Sequence, residues 1–244
     1  MFGLFRKKKE QLFDFSTIGA DMHSHILPGI DDGAKTLSDS LILAQRFKSL
    51  GFRKLVATPH IMADYFRNTP ATVHKALDAL REGLLQNNID LEVDAAAEYY
   101  LDETFENKIQ KKEVLTFGKN FLLFELSYIN APHNLFEVIK KIQDAGYQPV
   151  LAHPERYPYY YNSIESHQQI RETGCFLQLN TISLTGYYGK NSKQTAEELI
   201  DNYCVDFLGT DMHHVRHADA LKESLSSERL QSILAQPQIN NLLL

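Results

Sequence analysis

The sequence predicts an α/β protein built as a distorted (β/α)7 barrel, TIM-like but one unit short of eight. Three observations predict it. Short apolar runs alternate with longer amphipathic ones from about residue 18 onward. Several of these runs are apolar on both faces, as in LLFEL (122–126), PVLAH (149–153) and DFLG (206–209), which is how strands covered on both sides read. No linker or low-complexity stretch divides the chain, and 244 residues suit one layered domain. Such alternation implies parallel strands joined by crossover helices. An open doubly wound sheet is the alternative arrangement of the same units.

Seven strand runs follow in order: IGADMH (18–23), KLVATPH (54–60), IDLEVDAAAE (89–98), NFLLFEL (120–126), QPVLAH (148–153), CFLQLN (175–180) and VDFLGTD (205–211). Between the first two, residues 36–50 read as a helix. Thr36 with Asp39 makes a capping-box start, Leu37, Leu41, Ala44 and Leu50 recur at helical spacing, and Gly51 stops it. Segments 70–86, 132–146, 163–174 and 193–202 behave in the same way. Residues 18–244 are expected to form a single domain, and residues 1–17 a flexible basic tail carrying Arg6, Lys7, Lys8 and Lys9.

Composition narrows the function. A net charge of −6 argues against a protein that binds nucleic acid by broad phosphate neutralisation. The two cysteines, Cys175 and Cys204, both open apolar runs and read as buried thiols of a reducing compartment. No apolar run approaches the ~18 residues that a membrane span requires. The basic cluster follows the apolar start of the tail, which is the wrong order for a signal peptide. A cytoplasmic protein is expected, with membrane contact at most peripheral through that tail.

The chemistry lies at the strand ends. The first run leads into His23-Ser24-His25, the second ends at His60, the third at Glu98; the fourth carries Glu125, the fifth ends at His153, and the seventh leads to Asp211 and His213. Only the sixth ends in an amide instead. Residues i and i+2 of a strand share a side, so His23 converges with His25 and Asp211 with His213. In parallel barrels the C-terminal strand ends gather at one mouth. With Asp32 from the turn after His25, five histidines and four carboxylates meet there. Glu98 and Glu125 sit in apolar strands with no basic neighbour, and an unpaired buried charge is costly, so each needs a cation. Imidazole mixed with carboxylate suits manganese, iron, zinc or cobalt. A polynuclear metal site is the reading.

HSHILPGIDDG, ATPH, AEYYL, FELSY, LAHPERY and GTDMH together resemble the polymerase-and-histidinol-phosphatase (PHP) superfamily, nearest to the manganese-dependent bacterial tyrosine-protein phosphatases of the CpsB/CapC type. The resemblance covers residues 20 to about 217. It implies a barrel of the PHP type and three divalent ions, most often Mn2+. It assigns His23, His25, Glu98 and Asp211 to one ion, Glu98, Glu125 and His153 to a second, and Asp32, His60 and His213 to a third. It also implies that Arg156 contacts phosphate, with Arg216 the nearest match to a second family arginine. Three divalent ions against four carboxylates leave a net positive site, attractive to a phosphate dianion. The implied reaction is phosphotyrosine hydrolysis by a metal-bridging hydroxide. The implied partner is a phosphotyrosine protein, a bacterial tyrosine kinase of capsule or exopolysaccharide synthesis.

Around these residues, Tyr157 and the tyrosines after it are expected either to wall a phosphotyrosine ring or to pack the loop. Arg67 is a candidate substrate contact on a lid following His60. His74, His133, His167, His214 and His217 read as solvated or capping side chains. Gly33, Gly51 and Gly118 read as turn or cap glycines. A thiolate phosphatase is excluded, because it needs an arginine six residues after its cysteine, and those positions hold Thr181 and Thr210. Three other readings compete: a phosphatase of a small alkyl phosphate such as histidinol phosphate, a nuclease, and a regulatory module without activity.

Overall fold

The computed structural model describes residues 13–235 and Asn240. Its elements run β1 (Ala20–Ser24), α1 (Leu37–Ser49), β2 (Lys54–Ala57), β3 (His60–Ile61), α2 (Pro70–Gln86), β4 (Glu92–Ala95), β5 (Glu98–Tyr100), α3 (Phe105–Lys111), β6 (Phe121–Glu125) and α4 (Leu135–Asp144). Then come β7 (Gln148–Ala152), α5 (Ile164–Glu172), β8 (Phe176–Asn180), α6 (Lys190–Asp201), β9 (Phe207–Gly209), α7 (Val215–Ser224) and α8 (Glu228–Leu234). Each of the seven expected runs contains a strand. The second and third are each interrupted midway, giving β2 with β3 and β4 with β5. Pro59, which has no N–H to donate, marks the first interruption.

All strand pairs within the two sheets are parallel, in the orders β1-β2-β4 and β3-β5-β6-β7-β8-β9. The sheets are continuous through the interrupted runs: Ala96 N–H donates to Ala57 O, and Glu98 N–H to Pro59 O. At the far edge the chain returns to its start. A parallel bridge joins Ser24 to Met212, Asp211 N–H donates to His23 O at 2.8 Å, and His25 N–H donates to Met212 O at 2.9 Å. Lower down, the Asn240 amide donates to Ala20 O and Leu208 O and accepts from Leu208 N–H, so a side chain fills the gap between β1 and β9.

Two apolar layers result. The outer one lies between strands and helices. The inner one gathers Met22, Val56, Ala96, Leu123, Val150, Ala152 and Phe207, with Phe176 against it, and so draws on every strand run. Its floor is aromatic: Phe121 meets Phe207 at 5.1 Å and Phe176 at 5.3 Å, edge to face in both cases. The two-residue period of a strand then fixes what stands above each floor residue. Phe121 and Leu123 lead up to Glu125, Phe176 leads to Gln178 and Asn180, and Phe207 leads to Gly209 and Asp211. Apolar floor and polar mouth share the same columns.

The helices close the outside. α1 has the expected capping box, Thr36 and Asp39 each bonding the other's backbone N–H, and Gly51 follows it at φ 100°. α3, α7 and α8 were not expected; α3 and α8 span only seven residues each, too few to show a helical period. α6 begins at Lys190, ahead of the expected 193. The tail boundary also moves. Phe15 is fully buried, stacks on Phe52 at 4.9 Å and donates its N–H to Leu50 O, so the packed domain begins before residue 18. Arg6 to Lys9 lie outside the described residues. No helix among the described residues is long and apolar enough to cross a membrane.

Candidate metal centre

The mouth of the strand array holds all nine candidate ligands. His23 and His25 enter from β1, where the pairing register with β2 slips between Asp21 and Ser24. Regular alternation would put Met22 and His23 on opposite faces. With the bulge, Met22 joins the inner layer while His23 packs beside Gly209, whose own column is also internal. A methyl group on Gly209 would sit 2.8 Å from His23 Cβ and 2.6 Å from Gln178 Nε2, so only glycine leaves room for that ring.

Four donor atoms meet most closely. His23 Nε2 lies 3.3 Å from His25 Nε2, 3.3 Å from Glu98 Oε2 and 3.4 Å from Asp211 Oδ1. His25 Nε2 lies 3.4 Å from Glu98 Oε2 and 3.3 Å from Asp211 Oδ1. Bonds of ~2.0–2.1 Å to a tetrahedral ion would set its ligands ~3.3–3.4 Å apart, so this spacing is that of a coordination shell. Each ring is oriented from behind. His23 Nδ1–H donates to Gln178 Oε1 at 2.7 Å and His25 Nδ1–H to Asp31 Oδ2 at 2.8 Å, which leaves both Nε2 lone pairs facing the carboxylates.

Two further groups adjoin. His60 lies between them: its Nδ1 is 3.2 Å from Glu98 Oε2 and 3.1 Å from Glu125 Oε1, and its Nε2 is 3.6 Å from Asp32 Oδ1. His213 Nε2 is 3.3 Å from the same Asp32 oxygen, its Nδ1–H donating to Asp211 O. His153 Nε2 reaches Glu98 Oε1 at 2.9 Å and Glu125 Oε2 at 4.0 Å. Groups compact enough for one ion are thus His23–His25–Glu98–Asp211, His60–Glu98–Glu125 and His25–Asp32–His60–His213. The first is the set that the resemblance implies. In the others His60 stands where His153 was expected beside Glu125, and His25 is shared.

The electrostatics ask for cations. Glu98 and Asp211 are buried, which alone would raise their carboxyls, but the facing histidines hold both well below the usual carboxylate range. Burial opposes charge on His60, yet Glu98 and Glu125 lift it to about 9. Glu98 Oε2 and His60 Nδ1 are buried and 3.2 Å apart, yet neither makes an aligned hydrogen bond. Orphaned donor atoms among carboxylates and imidazoles are what metal ions satisfy, so the residues present fit such ions. Backbone geometry points the same way. His153 and Asp211 adopt φ 34° and 50°, left-handed conformations that cost non-glycine residues about 1 kcal/mol or more.

Above the cluster is a cleft of about 310 Å³ lined by Asp32, His60, Met62, Tyr65, Phe66, Glu98, Tyr100, Glu125, Tyr128, His153, Arg156, Asp211 and His213. Arg156 enters from the turn after His153. Its guanidinium lies over the Tyr188 ring at 4.0 Å and the Tyr128 ring at 5.1 Å, and Nη1 donates to Asp211 Oδ2. Asn180 donates to the same oxygen at 3.0 Å.

Three expected substrate contacts stand elsewhere. Tyr157 is fully buried, its hydroxyl donating to Ala152 O and accepting from Leu126 N–H, so the loop-packing alternative holds. Arg216 is exposed in the first turn of α7 and does not line the cleft. Arg67 is exposed and donates to Ala63 O within its own loop. His167 and His217 are buried, not solvated; His217 Nδ1 accepts from His213 N–H and so props the mouth. Gly33 serves close approach, since a side chain there would overlap the His25 carbonyl. Sequence reasoning passed over Asp31, Gln178, Tyr128 and Tyr188. For Asp31 the signal was present in the paired Asp31-Asp32, of which only the second was taken.

Residues 19–231 match the family model described as capsular polysaccharide synthesis, CpsB/CapC. The chain is 31% identical to the tyrosine-protein phosphatase YwqE of Bacillus subtilis over 80% of its own length and 78% of that protein's. It superposes with a TM-score of 0.79 and 28% identity on a crystal structure from work on YwqE and the CpsB of Streptococcus pneumoniae, described as metal-dependent tyrosine phosphatases; the match covers 92% of this chain and 96% of that one. A histidinol phosphate phosphatase of Lactococcus lactis shares the fold at TM-score 0.52 and 11% identity, over 84% of this chain and 92% of its own. With the family model spanning most of its length, this chain belongs to the CpsB/CapC family of capsular polysaccharide synthesis proteins.

Proposed function

We propose that this chain is a metal-dependent protein-tyrosine phosphatase holding three divalent ions, Mn2+ foremost, on His23, His25, Asp32, His60, Glu98, Glu125, His153, Asp211 and His213. The observation that carries the reading is the convergence of four donor atoms at 3.3–3.4 Å under a cleft that also presents one guanidinium. Relatives named tyrosine-protein phosphatases support the substrate class.

Bound ions supply Lewis acidity and hydroxide at neutral pH. The chain's own residues do the rest. Gln178, Asp31 and the Asp211 carbonyl fix the tautomers of His23, His25 and His213, so that each presents Nε2 to the centre. Tyr128 and Tyr188 hold the Arg156 guanidinium at the cleft, where it binds phosphate oxygens and stabilises the charge that grows on them. A tyrosinate leaves with a conjugate-acid pKa of about 10, far below that of a serine alkoxide, so little acid assistance is needed.

The substrate is a phosphotyrosine protein, in this reading a tyrosine kinase of capsule or exopolysaccharide synthesis met in the cytoplasm, where Cys175 and Cys204 stay free and buried. The test is phosphate release by metal-stripped, Mn2+-reconstituted protein from phosphotyrosine peptide, phosphoserine peptide and histidinol phosphate. Metal-dependent turnover confined to phosphotyrosine supports the reading; preferred turnover of histidinol phosphate overturns the substrate assignment, and no turnover with metal bound overturns the enzyme.

A further inference from the structure

One cleft residue has an exposure that the fold does not explain. Tyr65 lines the cleft, yet 78% of its surface is open to solvent. It does not stand on a slack loop. Met62 N–H donates to Phe66 O, Ala63 N–H to Asp102 Oδ2 at 2.7 Å, and the Asn68 amide to both Ile30 O and His60 O. Phe66 lies flat on the His60 ring, centroids 5.4 Å apart. The loop is therefore held in place beside the polar centre, and a group that covers the Tyr65 ring there removes apolar area from water. Tyr128, Phe66 and Met62 continue the apolar lining, whereas Arg156, the one guanidinium lining the cleft among the described residues, comes from the separate turn after β7. Phosphate bound by Arg156 therefore carries its organic group into an aromatic mouth.

We propose that Tyr65 is a specificity-determining residue whose ring packs against the aryl ring of the substrate. The inference rests on the phosphatase reading above and adds where the aryl preference comes from. A ring joined directly to the phosphate oxygen has a face at the mouth for Tyr65 to cover, and a methyl or methylene group in that position has none. Aromatic pairs of this kind are worth roughly 2- to 12-fold in affinity.

The experiment measures, by calorimetry, the binding of phenylphosphonate and of methylphosphonate to the Mn2+-loaded protein, two inhibitors that share the anion and differ in the ring. Wild type should bind the phenyl compound more tightly. Tyr65→Ala should shrink that preference by roughly 2- to 12-fold, and Tyr65→Phe should restore it. An unchanged ratio in Tyr65→Ala overturns the inference, as does equal weakening of both inhibitors, which would mean a disturbed loop. A raised KM for a phosphotyrosine peptide with an unchanged ratio also overturns it, because Tyr65 would then touch the peptide rather than the ring. Absence of phosphotyrosine turnover in wild type would sink the phosphatase reading, while the phosphonate ratio is read independently.

Discussion

Arg156 donates to Asp211 Oδ2 while Asp211 Oδ1 faces His23 and His25, so one carboxylate links the guanidinium to the densest group of donor atoms. A carboxylate bound on one oxygen keeps the other aimed. Arg156→Lys should therefore fail to rescue function, because an ammonium cannot both lie flat between Tyr128 and Tyr188 and reach Asp211. We expect kcat to fall by about 100- to 1,000-fold in Arg156→Ala and nearly as far in Arg156→Lys, measured on a phosphotyrosine peptide at saturating Mn2+.

The Asp31 carboxylate touches three partners at once: the His25 ring, His60 N–H and Gly33 N–H. Asp31→Ala should lower metal affinity by about 10- to 100-fold while the helices and strands persist. Metal titration against circular dichroism separates the two effects, and normal affinity would remove Asp31 from the site's support.

Chelation should abolish turnover and Mn2+ should restore it. Each ion at a hundredfold excess over its Kd adds about 2.7 kcal/mol of stability, and even one such site in a domain of this size raises Tm by roughly 5–10 °C. Calorimetry with and without chelator checks this, and an identical Tm in both would count against ion binding at the mouth.

Gly209→Ala should reveal the tight seat of His23. The added methyl meets Gln178 and the His23 Cβ, and overpacking of this kind costs about 1–3 kcal/mol. The expected result is a lower denaturation midpoint with reduced metal content, from a substitution that removes no ligand.

Both cysteines are dispensable to the proposed chemistry. Burial pushes the Cys175 thiol up, away from the reactive thiolate, and Cys204 shifts the same way for the same reason. Cys175→Ala and Cys204→Ala should each keep phosphotyrosine turnover near wild type. Loss of activity in a folded, metal-loaded variant would reopen thiolate chemistry.

Much of this was legible in the residues, and the exceptions have physical causes. Strand ends announced themselves because Glu98 and Glu125 break apolar runs, and a buried carboxylate must be compensated. The helix at 36–50 declared itself through Thr36, Asp39 and Gly51. What stayed hidden depends on side-chain direction. Tyr157 and Tyr65 are both aromatic loop residues near a ligand, yet the first turns into the core and the second into solvent. Arg216 follows the DMH block by sequence, but the first turn of α7 carries it to an exposed position away from the cleft. The bulge at Asp21–Ser24 was equally silent, since an HxH spacing converges with or without it.

The seam between β1 and the last strand segment has a consequence for the chain as it is made. Asp21 accepts from both the N–H and the hydroxyl of Thr210, and Asn240 stitches Ala20 to Leu208. At a synthesis rate of ~5–20 residues per second, β1 waits on the order of ten seconds or longer for these partners. Throughout that interval its outer edge is an open template for strands of other chains. His23 and His25 are among the first candidate ligands to leave the ribosome, and they meet Asp211 among the last. The nascent protein thus cannot complete its cluster of four donors before residue 211 has been translated, and contacts of such long sequence separation are the slow ones to form.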